Sequence, residues 1–235
     1  MVSCWRLMFW PFAAVRIVDQ ALAAVLQNPL RDENPGDSCL RGGLGWREYG
    51  DPDPNNGGRA TGIEACLDTE WIETHPGSST QKDINPPGTD WAKDFARYLG
   101  LLPSADINKC HLLADTLSGE GGRTDNLVPC SRATNFPKRL GDPGRMEDNM
   151  RKFEGETRAA VDAGSIVHYR VVPVYAGPRT VPYAIEMYAY GTDRNGIPNF
   201  ALSETVANTI YSPRVGSVNM GLWTDSRTGS VVPTN

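Results

Sequence analysis

The chain has 235 residues, of which 40% are hydrophobic and 22% charged. That size and balance suit one globular domain with ragged ends, or at most two small ones, able to bury its own core. The net charge of −5 argues against tight binding of nucleic acid through many phosphates, which usually needs a basic protein, and leaves room for weak, transient contact.

With 24 glycines and 18 prolines the chain is rich in turns, which points to a loop-rich fold with much β-structure. Its 5 cysteines (Cys4, Cys39, Cys66, Cys110 and Cys130) are too sparse for a disulfide-dense scaffold. With no CxxC and only 3 histidines they do not space as a zinc site. One or two disulfides in an exported protein, or free buried thiols, both remain open.

At the start, Leu7 to Val15 has the length of a signal-peptide core, and Ala21-Leu22-Ala23 is a candidate cleavage sequence; the alternative is an N-terminal helix. No other run approaches the ~20 apolar residues of a membrane span. The expected organisation is an apolar segment over 1–30, an irregular linker over 31–60, a folded domain over 61–211 and a tail over 212–235.

Within the domain, residues 61–73 alternate as a strand does. Pro86-Pro87 forbids regular structure, and Asp90 can cap a short helix that Gly100 ends. A short apolar strand around His111 leads into a Gly-rich loop. Residues 146–163 have helical spacing, with Gly164 as the stop. Three strand-like runs follow, Ile166–Ala176, Val181–Thr192 and Asn199–Ile210, the first two joined by a GPRT turn. This order predicts an α+β fold.

Of the histidines, His75 sits in a Pro/Gly turn and His168 in mid-strand. Only His111 stands beside a cationic residue, a Gly-rich loop and a downstream cluster of Asn, Glu and Arg. Taken singly, Glu154 is an ordinary helix carboxylate, Asn135 a turn residue, Asn126 a loop cap, and Asp115 and Glu120 loop surface.

Together, in order, the segments NKCHLLADTLSGEGG, NLVPCSRATN and NMRKFE resemble the DNA/RNA non-specific endonucleases of the ββα-metal (His-Me finger) class, in the branch of bacterial secreted nucleases and toxin domains. The likeness runs over roughly residues 60–210. It implies a ββα-metal finger embedded in an antiparallel β-sheet, and hydrolysis of DNA and RNA. His111 matches the general base and Asn135 the metal-binding asparagine. Glu154 matches the glutamate that holds a metal ligand through water, and Arg158, one helical turn on, an arginine that contacts the scissile phosphate.

Asn108, Lys109 and Cys110 stand where Asp, Arg and Gly are usual, so Lys109 keeps the charge without the bidentate fork. An apparent lengthening between Asn135 and Glu154 makes Asn149 the alternative metal ligand. The implied cofactor is Mg²⁺ or Mn²⁺, which needs few protein oxygens. The implied setting is secretion or delivery outside the producing cell, with an inhibitor or immunity protein as a candidate partner. In this fold the NLV segment returns beside the histidine strand, so the resemblance also pairs Cys110 with Cys130. The competing readings are a non-catalytic binding module with the same fold, motivated by residues 108–110, and a hydrolase of other phosphodiesters.

Beside the expected site, Arg132, Lys138, Arg139 and Arg145 outweigh Asp142, which suits backbone contact without base reading.

Overall fold

A computed structural model describes residues 39–40 and 45–223, all within one unit, Ser38–Asn235. The expected leader over 1–30, Cys4 and the end of the expected tail lie outside the described residues. No helix among the described residues is long and apolar enough to cross a membrane.

The framework is a five-stranded antiparallel sheet in the order β1-β2-β5-β6-β7. Its strands are β1 (Trp46–Tyr49), β2 (Ile63–Leu67), β5 (Ile166–Val174), β6 (Ala184–Thr192) and β7 (Pro198–Ala207). The period of two along each strand sends one set of side chains inward. Ile63, Ala65, Leu67, Val167, Tyr169, Val171, Ile185, Met187 and Ala189 form this buried face. Met150, Phe153 and Val161 of α5 (Met150–Asp162) pack on it, together with Leu112, Leu113 and Leu117. Burying each large apolar side chain contributes about 1.5–3 kcal/mol.

A second pair, β3 (Ile107–His111) and β4 (Leu127–Ser131), forms a hairpin with Cys110 opposite Val128 and His111 opposite Leu127. With α5 this hairpin makes the ββα unit. Four shorter helices complete the frame: α1 (Thr69–Thr74), α2 (Thr89–Tyr98), α3 (Pro103–Asp106) and α4 (Arg132–Asn135).

Several local expectations change. The sheet begins inside the segment read as an irregular linker, because β1 pairs along its whole length with β2. The run from Thr61 is a strand only to Leu67; the Asp68 side chain then accepts from the Trp71 amide at 2.7 Å and starts α1. Gly88, not Asp90, caps α2, and Asp90 sits in its first turn where it favours the helix dipole. α5 starts at Met150 rather than 146, where the Asn149 Oδ1 accepts from the Lys152 amide at 3.1 Å. The connection from β5 to β6 is longer than a tight GPRT turn. Part of the expected tail is ordered: β8 (Thr209–Ser212) pairs with β9 (Gly216–Asn219).

Two disulfides join buried cysteines. Cys110 bonds Cys130 across the hairpin, with Cα atoms 5.9 Å apart. Cys39 bonds Cys66 on β2, with Cα atoms 5.6 Å apart, beside Trp46 and Ile166.

Candidate active site

His111 ends β3, where the chain leaves the hairpin for the Gly-rich loop. Asn126 staples that loop: its Oδ1 accepts from the Leu113 amide at 2.9 Å, and its Nδ2 donates to the carbonyls of Leu113 and Glu120, both at 3.1 Å. Tyr169 on β5 donates from its hydroxyl to the Leu112 carbonyl at 2.9 Å, tying the residue after the histidine to the main sheet.

The Gly-rich loop also meets the turn after α1, backbone to backbone. Ser78 donates from its amide to the Gly119 carbonyl at 2.9 Å, and Gly121 donates to the Ser78 carbonyl at 3.0 Å. A Cβ on Gly119 would collide with the Leu113 carbonyl, and one on Gly121 with the backbone of Ser79, so side chains are excluded at both positions.

These contacts set the state of His111. The ring hydrogen-bonds to the Ser78 backbone. Its Nε2 is buried and has no hydrogen-bond partner among the described residues, so the bond to Ser78 uses Nδ1. Nε2 is left with its lone pair as a proton acceptor. Burial pushes the imidazole below its ordinary pKa, while Asp115 and the Ser78 bond pull it up.

Glu154 lies on the inward side of α5. Burial, and secondarily the carboxylate of Asp115, push its pKa up to about 8 against a weak opposing effect of Arg151. Its charge also reaches Tyr169, which holds Leu112. The charge of Asp115 therefore acts on both His111 and Glu154, although the sequence marked Asp115 only as loop surface.

Arg158 comes to the same loop: its Nη1 donates to the Thr116 carbonyl and its Nε to Asp162, both at 2.8 Å. Asn135 ends α4, which packs against β3, β4 and α5. It is half-buried, and its side chain makes no hydrogen bond among the described residues.

Two candidates are otherwise engaged. Lys109 was expected to lend charge to the phosphate. Instead its Nζ donates to the carbonyls of Gln81 at 3.2 Å, Lys82 at 2.9 Å and Ile84, which uses all three of its N–H groups to hold the 81–84 turn. Asn149, the alternative metal ligand, is buried with its oxygen capping α5. The other histidines lie elsewhere: His168 Nε2 sits 2.6 Å from Glu64 Oε1, and His75 stacks on Trp71 with centroids 3.6 Å apart.

A ββα unit with a histidine at the strand end and a carboxyl group on the helix is joined by a direct family match. The model of the DNA/RNA non-specific endonuclease family matches residues 45–192. The chain belongs to this family.

It is accordingly a nucleic-acid hydrolase. The endonuclease has the fold of NucA from Streptococcus agalactiae in its magnesium-bound form, with TM-score 0.53 and 17% identity over 82% of this chain and 84% of that one. The metal-free form of NucA matches with TM-score 0.51 and 19% identity over 75% and 78% of the two chains. A zinc-bound Sda1 nuclease matches with TM-score 0.50 and 16% identity over 69% and 74%. No curated protein matches the endonuclease by sequence.

Proposed function

We propose that this endonuclease cuts DNA and RNA without sequence preference, with His111 as general base and a divalent cation, Mg²⁺ or Mn²⁺, at Asn135 and Glu154. The observation that carries the reading is the buried Nε2 of His111, without a hydrogen-bond partner among the described residues, on a histidine that feels the charge of Asp115 as Glu154 does.

The residues fit such a cation. The Asn135 side-chain carbonyl makes no hydrogen bond among the described residues, and the Glu154 carboxyl lies within the influence of the Asp115 charge, so the donors are hard oxygens. When bound, the cation neutralises charge on the scissile phosphate as a Lewis acid. His111 Nε2 takes the proton of the attacking water as its oxygen bonds to phosphorus; the ester oxygen leaves and is protonated from solvent. Arg158 adds positive charge beside the loop where the phosphate would lie. Contacts confined to the phosphate ignore base and sugar, which supports action on both DNA and RNA. Two buried disulfides favour an oxidising compartment, which supports secretion.

The test is digestion of supercoiled plasmid and of structured RNA. Nicking with Mg²⁺ or Mn²⁺ and none with chelator is expected; intact plasmid with either metal would refute the proposal and favour a non-catalytic module.

The base must be neutral to act, and burial lowers its pKa. The acid limb of kcat/KM is therefore expected below the ordinary imidazole value of 6.5. Asp115→Asn removes a charge that raises this pKa, so it should move the limb lower still. A limb above 6.5 would count against His111 as the base.

The two asparagines separate by experiment. Asn135→Ala is expected to raise the Mg²⁺ concentration for half-maximal activity on the order of 10-fold or more, with little change in melting temperature. Asn149→Ala should cost about 1 kcal/mol of stability through the lost cap and leave the Mg²⁺ titration nearly unchanged. A larger metal effect from Asn149→Ala would reverse the assignment.

A further inference from the structure

Phe136, next to Asn135, carries two guanidiniums on its ring. Arg132 lies 5.7 Å from the centroid and Arg151 4.5 Å. Both arginines are exposed, and neither makes a hydrogen bond or ion pair among the described residues. By contrast Arg47, Arg59, Arg97, Arg123, Arg145 and Arg158 each pair with a carboxylate.

Two cations gathered on one ring repel each other, and an anion between them would relieve that repulsion. Their positions say which anion. Arg132 precedes Asn135 by three residues on α4, and Arg151 precedes Glu154 by three on α5. Residues at that spacing are neighbours on a helix surface. The pair therefore lies about one helical turn from each residue proposed to hold the cation, and Arg151 already acts electrostatically on Glu154.

We propose that Arg132 and Arg151, held on Phe136, form a clamp for a backbone phosphate of the nucleic-acid strand beside the one being cut. The proposal rests on the nuclease centre described above. Guanidinium forks match phosphate oxygens bidentately, and stacking on the ring restricts their rotamers before substrate arrives. The clamp also explains how a chain with net charge −5 engages a polyanion: the contact is local.

The test uses the full chain with Arg132→Ala/Arg151→Ala, and Phe136→Leu as a second variant that keeps both charges. Binding of a fluorescein-labelled DNA duplex is followed by anisotropy in chelator across a salt series, and plasmid cleavage is followed with Mg²⁺. The double variant is expected to flatten the slope of log affinity against log salt by about 1, because the contact to one phosphate is lost. KM for DNA should rise about 10-fold, with the loss carried by KM rather than kcat. Phe136→Leu should raise KM by a smaller factor and leave the salt slope near that of the parent, since the charges stay but are no longer held.

A double variant with the parent's salt slope and KM overturns the clamp, as does a loss carried by kcat alone. If His111→Ala leaves plasmid cleavage intact, the base assignment fails, and the salt slope still decides the clamp independently.

Discussion

His111→Ala is expected to slow phosphodiester cleavage by about 10²–10⁴-fold, the usual cost of losing a positioned base. Among the described residues no other imidazole can substitute: His168 is paired with Glu64, and His75 is stacked on Trp71. The fold should survive. His111 is only half-buried, and the hairpin holding it is fastened by neighbours that the substitution leaves in place: the Asn126 staple, the Tyr169–Leu112 bond and the Cys110–Cys130 bridge. Replacing it also removes a buried nitrogen with no partner among the described residues, a change that costs little stability. The measurement is initial-rate plasmid nicking at saturating Mg²⁺, with circular dichroism to confirm folding. A folded variant within a few-fold of the parent rate would end the assignment.

Removing the Cys110–Cys130 bridge is expected to cost about 3 kcal/mol. The bond closes a loop with a sequence separation of 20, and the chain-entropy model gives that magnitude. For a domain of this size the melting temperature should fall by roughly 6–12 °C. A Cys110→Ala/Cys130→Ala double variant measured by calorimetry tests this without introducing buried hydroxyls. Activity should fall as well, well below the melting transition, because Cys110 directly precedes His111 and anchors the strand end from which the imidazole projects.

The second bridge is the control. Cys39→Ala/Cys66→Ala opens a loop with a separation of 27 and should cost a similar amount of stability. Cys66 and its neighbours Trp46 and Ile166 form a cluster separate from the core beneath His111, so catalysis should persist. Equal loss of activity from both pairs would show that the first bridge acts through global stability alone.

By itself the sequence determined what depends on neighbours a few residues apart. The strand-like run Ile166–Ala176 anticipated β5, which spans Ile166–Val174. The helical spacing of Met150, Phe153 and Val161 marked α5 and put Glu154 and Arg158 on one side of it. The local company of His111 separated it from the other histidines.

Tertiary structure decided whatever depends on partners far along the chain. β1 is four residues long, too short to show a period, and exists because β2 supplies its hydrogen bonds. Lys109 looked like a free cation beside His111, yet the three carbonyls that claim it lie 25 to 28 residues away. Asp115 influences both His111 and Glu154 only because folding brings their electrostatic surroundings together, and Ser78 reaches His111 only because its turn meets the Gly-rich loop. Arg132 and Arg151 share a ring because α4 packs against α5. A side chain's type is written at its own position, but its burial, protonation and partners belong to the space around it, and only packing brings together the groups that share that space.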